Sequence, residues 1–183
     1  MADFEVISEV TLGSSTSQWV IADISQDYTH LELDLHLRAT TVNNGTYPGG
    51  MTFNTFTGSN HYGYGVVYSN NSDNGSASDV GPDGVNRIQY GPRISGDGTA
   101  SDSYAINKMF IANYSSTAIL HKQILWQQSA ATGDSSGGSW FMGFGAGAKT
   151  NCGAITQLTI WPDWGTSGQE IKAGSCYTLS GWK

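Results

Sequence analysis

The sequence predicts an all-β fold, an antiparallel β-sandwich of jelly-roll-like type with about 8–10 strands. Three observations lead there. Leu31, Leu33, Leu35 and Leu37 alternate with Glu32, Asp34, His36 and Arg38, the period-2 signature of a strand with one buried and one wet face. A helix would scatter those leucines around its circumference, so the pattern overrides the helical propensity of leucine. A sheet that is wet on one side implies antiparallel pairing, because parallel sheets are normally covered on both sides. The composition agrees: 24 glycines, 13% charged residues and 11% aromatics suit short strands joined by Gly, Ser, Asn and Asp turns. Long helices would need uninterrupted Ala, Leu, Glu and Lys, which are missing. At 183 residues, one domain over residues 1–183 can bury a two-layer core.

The elements follow in order. Phe4 to Leu12 reads as a strand, Gly13 to Ser17 as a turn, and Trp19 to Ile21 as a short strand. A loop from Asp23 to Tyr28 leads into the leucine strand. Asn43-Asn-Gly-Thr-Tyr-Pro-Gly-Gly50 is a dense turn signal. Met51 to Phe56 and Tyr62 to Tyr68 are the next strands. Residues 70–102 form a loop-rich insertion of Asn, Ser, Gly and Asp, with a short strand around Val85 to Tyr90. Strands return at Tyr104 to Tyr114 and Ile119 to Gln128. In the latter, Leu120, Lys122, Ile124 and Trp126 alternate with His121, Gln123, Leu125 and Gln127, and Lys122 is the imperfection. A Gly/Ser loop from Thr132 to Ser139 precedes Trp140 to Phe144. Ala154 to Trp161 and Cys176 to Trp182 close the series. No internal repeat, heptad or collagen triplet marks a fibrous shaft.

Net charge is −7 and the pI is near 4.7, so the basic patch that nucleic acid demands is missing. An acidic, polar surface suits a protein kept soluble at high local copy number. No signal-peptide pattern and no membrane span is visible, so the expectation is synthesis in a cytoplasm without membrane insertion. Cys152 and Cys176 then read as small thiols, not a disulfide.

Several motifs point to chemistry and fall short. Gly133-Asp-Ser-Ser-Gly-Gly138 carries one serine too many for a serine-protease nucleophile loop, which would displace the oxyanion amides. His30, His36, His61 and His121 include no zinc-type pair. Asn71-Ser-Asp-Asn-Gly75 with Asp79 lacks the terminal Glu of a calcium loop. Asp97, Asp102, Asp134 and Asp163 have no acid/base context for glycoside hydrolysis. The expectation is a non-enzyme with no catalytic residues, metal or cofactor. Tyr62, Tyr64 and Tyr68 share one strand face, and Trp161-Pro-Asp-Trp164 sits at a strand end. These five aromatics are the glycan or interface candidates, since such rings stack on sugars and anchor protein contacts. Filling the core is the alternative for each.

The order of segments resembles a family of small β-sandwich proteins of bacteriophage virions, capsid-decoration or head-fibre proteins and tail-fibre tips. The matching pieces are Ile7-Ser-Glu-Val-Thr-Leu-Gly-Ser14, Ile24-Ser-Gln-Asp-Tyr-Thr-His-Leu-Glu-Leu33 and Arg38-Ala-Thr-Thr41. They continue through Phe53-Asn54, Thr57-Gly-Ser-Asn-His-Tyr62, Ile111-Ala-Asn-Tyr-Ser-Ser-Thr117 and His121-Lys122. Ala154-Ile-Thr-Gln-Leu-Thr-Ile160 and Lys172-Ala-Gly-Ser-Cys-Tyr-Thr-Leu-Ser-Gly181 complete them. The chain departs from the pattern at Thr55-Phe56, where the family has a charged residue, and over Asn70 to Ala100. The resemblance implies a virion surface component, non-enzymatic and homotrimeric, contacting major capsid or tail proteins. With no shaft and a strand beginning almost at Met1, a stand-alone protein is expected, decorating the capsid or forming a short fibre. Host surface glycans are the alternative partner.

Overall fold

The computed structural model describes residues 3–40, 46–54, 61–69, 76–80, 88–96, 104–119, 121–132, 139–162 and 168–183. Strand segments 46–48, 61–69, 76–80, 89–93, 131–132 and 139–141 are described by their backbone. Every regular element among the described residues is a strand. In chain order they are β1 (Phe4–Thr11), β2 (Trp19–Ile21), β3 (His30–Leu37), β4 (Thr46–Phe53), β5 (His61–Ser69) and β6 (Ser76–Val80). There follow β7 (Ile88–Ser95), β8 (Ala105–Ala112), β9 (Lys122–Thr132), β10 (Ser139–Lys149), β11 (Leu158–Trp161) and β12 (Cys176–Trp182).

Two antiparallel sheets pack together, an eight-stranded one ordered β1-β12-β3-β8-β9-β10-β5-β6 and a four-stranded one ordered β2-β11-β4-β7. One hydrophobic core lies between them. The large sheet contributes Leu31, Leu33, Leu35, Leu37, Met109, Ile111, Ile124, Trp126, Tyr177 and Leu179. Facing them are Trp19, Ile21, Met51, Phe53, Ile88, Ile94, Leu158 and Ile160 of the small sheet. All four β3 leucines are fully buried, each contributing about 1.5–3 kcal/mol of burial.

The structure shifts several expected strand bounds: Thr46 to Gly50, read as part of a turn, belongs to β4, while Ala154 to Gln157 lies outside β11. The described residues hold twelve strands, and β6, Ser-Ala-Ser-Asp-Val, has no apolar run to announce it. The strand placed at Val85 to Tyr90 lies later, at Ile88–Ser95. β9 and β10 pair in unbroken register from Lys122↔Lys149 to Thr132↔Ser139, longer than either apolar signal. Arg38 is also corrected. It continues the leucine alternation on paper, yet Leu37, Arg38 and Ala39 are all buried. β3 ends at Leu37, and Arg38 makes an isolated parallel bridge to Ser95 while Ala39 bridges Ile171. Where the ladder changes partner, the period-2 rule stops applying.

Lys122 keeps the inward parity of β9 and is fully buried. Its Nζ donates to Asn113 O at 2.8 Å and to Ser116 O. Lys149, its register partner, is also buried and donates to Phe53 O at 2.7 Å. Each ammonium therefore satisfies backbone carbonyls at one end of the sandwich, as a buried charge requires. The same end is closed by Asn54, in the left-handed region at φ 56. Asparagine adopts that conformation at small cost. Its side chain donates to Ala154 O (2.9 Å) and accepts from the backbone of Thr156 (2.8 Å). Asn113, at φ 50, turns the chain into fully buried Tyr114, whose hydroxyl donates to Ser25 O. Phe53-Asn54 and Ile111 to Thr117 are thus built as structural staples.

Cys152 and Cys176 are both free thiols. Burial pushes the Cys152 thiol up, with Lys149 and Lys122 opposing; burial, then Glu9, raises Cys176. Burial likewise raises Tyr114 and lowers Lys122. A raised thiol holds its proton in the folded state after the unfolded thiol, near pH 8.5, has lost it. The unfolded state then binds fewer protons and stability falls with rising pH. Lys122 has the opposite sign, since its lowered value makes stability rise toward about pH 10.4. Tyr114 shares the sign of the thiols but acts only above about pH 10. The thiol contribution to unfolding free energy is expected to fall from about pH 8.5 to 10, and Cys152→Ala is expected to remove part of that fall. Urea titrations at each pH measure it, and an unchanged slope would refute the assignment to Cys152.

Candidate functional site: the outer face of the large sheet

The outward positions of the large sheet fall into cross-strand rows fixed by register. One row runs Cys176, His36, Ile106, Ser129, Met142. The next runs Thr178, Asp34, Lys108, Gln127, Phe144, and the third Ser180, Glu32, Phe110, Leu125, Ala146. The two halves of this face differ in chemistry. Across β3 and β8, Lys108 Nζ sits 2.5 Å from Glu32 Oε1 and 3.7 Å from Asp34 Oδ1. Its hydrogen bond to Glu32 holds the ammonium above the ordinary lysine range. Across β9 and β10, the outward residues are Gln123, Leu125, Gln127 and Ser129, then Met142, Phe144, Ala146 and Ala148. None carries a charge.

Large apolar side chains stand in water here. Ile106 is 49% exposed, Leu125 58%, Met142 52% and Phe144 52%. Between them runs a shallow groove of about 440 Å³, lined by Ile106, Lys108, Gln127, Ser129, Met142 and Phe144. Single exposed apolar residues need no explanation, but a contiguous set on one sheet face marks an interaction surface. Inward, β10 alternates Gly143, Gly145 and Gly147 with these outward residues. A smaller aromatic cluster occupies the β1 side of the same face. There the Phe4 and Trp182 rings lie 4.8 Å apart and those of His30 and Phe110 5.4 Å apart.

The aromatics expected from sequence distribute unevenly. Tyr62, Tyr64 and Tyr68 occupy β5 register positions opposite Ala148, Ala146 and Met142, and the description there is of backbone. Trp161 ends β11 on the other sheet, half-buried. Trp164 lies outside the described residues. So do Gly133 to Gly138, Asn71 to Gly75, and Asp97, Asp102, Asp134 and Asp163. Among the described residues, no group of three or more His, Cys, Asp and Glu is placed to hold a metal ion.

Sequence reasoning passed over Ile106, Met142 and Phe144. One signal was legible: Leu125 shares its parity with His121, Gln123 and Gln127, so it had to face water if Ile124 and Trp126 faced the core. The Gly alternation of β10 hides the other signal, because from Gly143 to Gly147 the inward positions are all glycine and the strand shows no two-faced apolar pattern.

No family model matches the chain, and no curated protein matches it. Among solved structures, that of the Gx strain of infectious bursal disease virus aligns with 99% of this chain at 13% identity and a TM-score of 0.15. This chain spans 39% of the length of that viral chain. Superposition that loose carries no inference about fold or role.

Proposed function

We propose that the protein is a non-enzymatic structural component of a bacteriophage virion. In this reading it decorates or cements the capsid surface or forms a short fibre, as a homotrimer seated on major capsid or tail proteins. It is made in the host cytoplasm and displayed on the particle. The observation that carries the reading is the outer face of the large sheet, an uncharged apolar strip suited to protein contact.

Two further points support it. Strands β1-β12-β3-β8 oppose β2-β11-β4-β7, and the chain changes sheet at every step from β1 to β5 and again from β6 to β7, β7 to β8, β10 to β11 and β11 to β12. That winding supports a jelly-roll-like reading of the sandwich, an architecture of viral capsid and lectin domains. On this reading β5–β6 and β9–β10 are two inserted pairs that widen one sheet. The second point is the segment order of the phage family described above. Mass spectrometry of purified particles tests the proposal: the chain is expected at stoichiometric copy number, and its absence would sink the virion role.

A lectin-like role toward host glycans is the second reading. It is favoured by the register that sets Tyr62, Tyr64 and Tyr68 along one border of the strip. A glycan array on the wild-type protein and on Tyr64→Ala and Trp164→Ala tests it, and binding unchanged in both variants would remove these residues from the site.

A further inference from the structure

The outward residues of β10 are ordered by size. Met142 and Phe144 come first, both half exposed, followed by Ala146 and Ala148. A strip with its bulk at one end and its hollow at the other is complementary to itself turned end for end. A two-fold axis lying in the plane of the face, perpendicular to the strands near Gly145, brings β10 of one copy over β10 of another in the opposite direction. Met142 and Phe144 of each copy then fall on Ala148 and Ala146 of the other. We infer that this face is an isologous contact between two copies of the chain, centred on β10.

Charge points to the same occupant. The chain carries a net charge of −7, so two copies approaching at random repel. Across β9 and β10 no outward residue is charged, and the Glu32–Lys108–Asp34 cluster stays at the margin, where an ion pair keeps its water. A basic partner would find no carboxylate in the strip. A second neutral, stepped strip meets both the charge and the shape.

The extent is adequate. At the usual rise and spacing, the eleven residues each of β9 and β10, with the eight of β8 and nine of β5, cover about 600 Å². That is about three quarters of the ~800 Å² per partner of a standard interface. Depletion of charge with enrichment in Met and Phe is the composition of an interface centre, and isologous two-fold contacts are the commonest among homo-oligomers.

The inference extends the structural reading of the protein but does not require the virion. Sedimentation velocity on the full chain from about 1 to 100 µM, where association is set by mass action, is expected to show a hexamer, two of the proposed trimers joined through this face, or a dimer if the trimer forms only on the particle. Phe144→Asp is expected to weaken self-association about tenfold or more with an unchanged circular dichroism spectrum. A second measurement does not depend on that variant. In a Cys176→Ser background, Phe144→Cys copies mixed with Ala146→Cys copies are expected to form disulfide dimers in far higher yield than either population alone. A monomer over the whole range, a trimer, a dimer indifferent to Phe144→Asp, or equal cross-linking in all three samples would overturn the inference. A dimer of a chain absent from particles would leave this contact standing and remove the virion role; a trimer found on particles would do the reverse.

Discussion

Leu33→Ala is expected to lower the unfolding free energy by about 2–5 kcal/mol, the largest loss available from a single truncation in β3. Leu33 is fully buried at the middle of the leucine row and pairs with Leu179 of β12 on one side and Met109 of β8 on the other. Both neighbours are themselves buried in long strands, so neither can swing in to fill the gap. The loss therefore combines the transfer term with a cavity term. His36→Ala, one residue from the strand end and exposed, should change stability by no more than about 0.5 kcal/mol. Urea unfolding of both variants measures the contrast. Equal effects would mean that the leucine face of β3 is not turned into the core between the two sheets.

Gly181→Ala is the second large effect, and it comes from a methyl group with nowhere to go. A Cβ at Gly181 would lie 2.3 Å from Cγ of Tyr28 and 2.5 and 2.7 Å from its two Cδ atoms. The ring cannot retreat freely. Its hydroxyl donates to Glu5 at 2.8 Å, Ser115 Oγ donates to the Tyr28 carbonyl at 2.7 Å, and Thr29 N donates to Trp182 O at 2.8 Å. Overpacking of this kind costs about 1–3 kcal/mol and sometimes more, and the backbone here is pinned on both sides of the clash. The expected loss is about 3 kcal/mol. If the ring is the cause, adding Tyr28→Ala to Gly181→Ala should cost much less than the sum of the two single changes. Strict additivity would place the damage elsewhere.

The legible part of the fold was the part where one physical rule acts alone. β3 was readable because every second residue is leucine and both its neighbours in the sheet are long strands, so period and burial coincide. β12 was readable for the same reason, as Tyr177, Leu179 and Gly181 alternate inward. Lys122 read as an imperfection because sequence shows the charge but not the carbonyls of Asn113 and Ser116 that receive it. β6 was invisible because Ser76 to Val80 is held by backbone pairing to β5, which asks little of side chains. The candidate site was half legible. Leu125 betrayed itself by parity, whereas Phe144 and Ile106 needed the register of four strands before they could be seen as neighbours.

The position of β12 governs when the protein can become itself. Cys176–Trp182 is synthesised after the eleven other strands, yet it lies inside the large sheet, between β1 and β3. Until it emerges from the ribosome, the leucine strand has an open flank and β1 has no partner. Such long-range pairing is slow to form, because loop closure must precede the contacts that reward it. The nascent chain therefore carries an unfinished large sheet until β12 is made. Assembly through that sheet must wait for the same seven-residue strand, which acts as its timer.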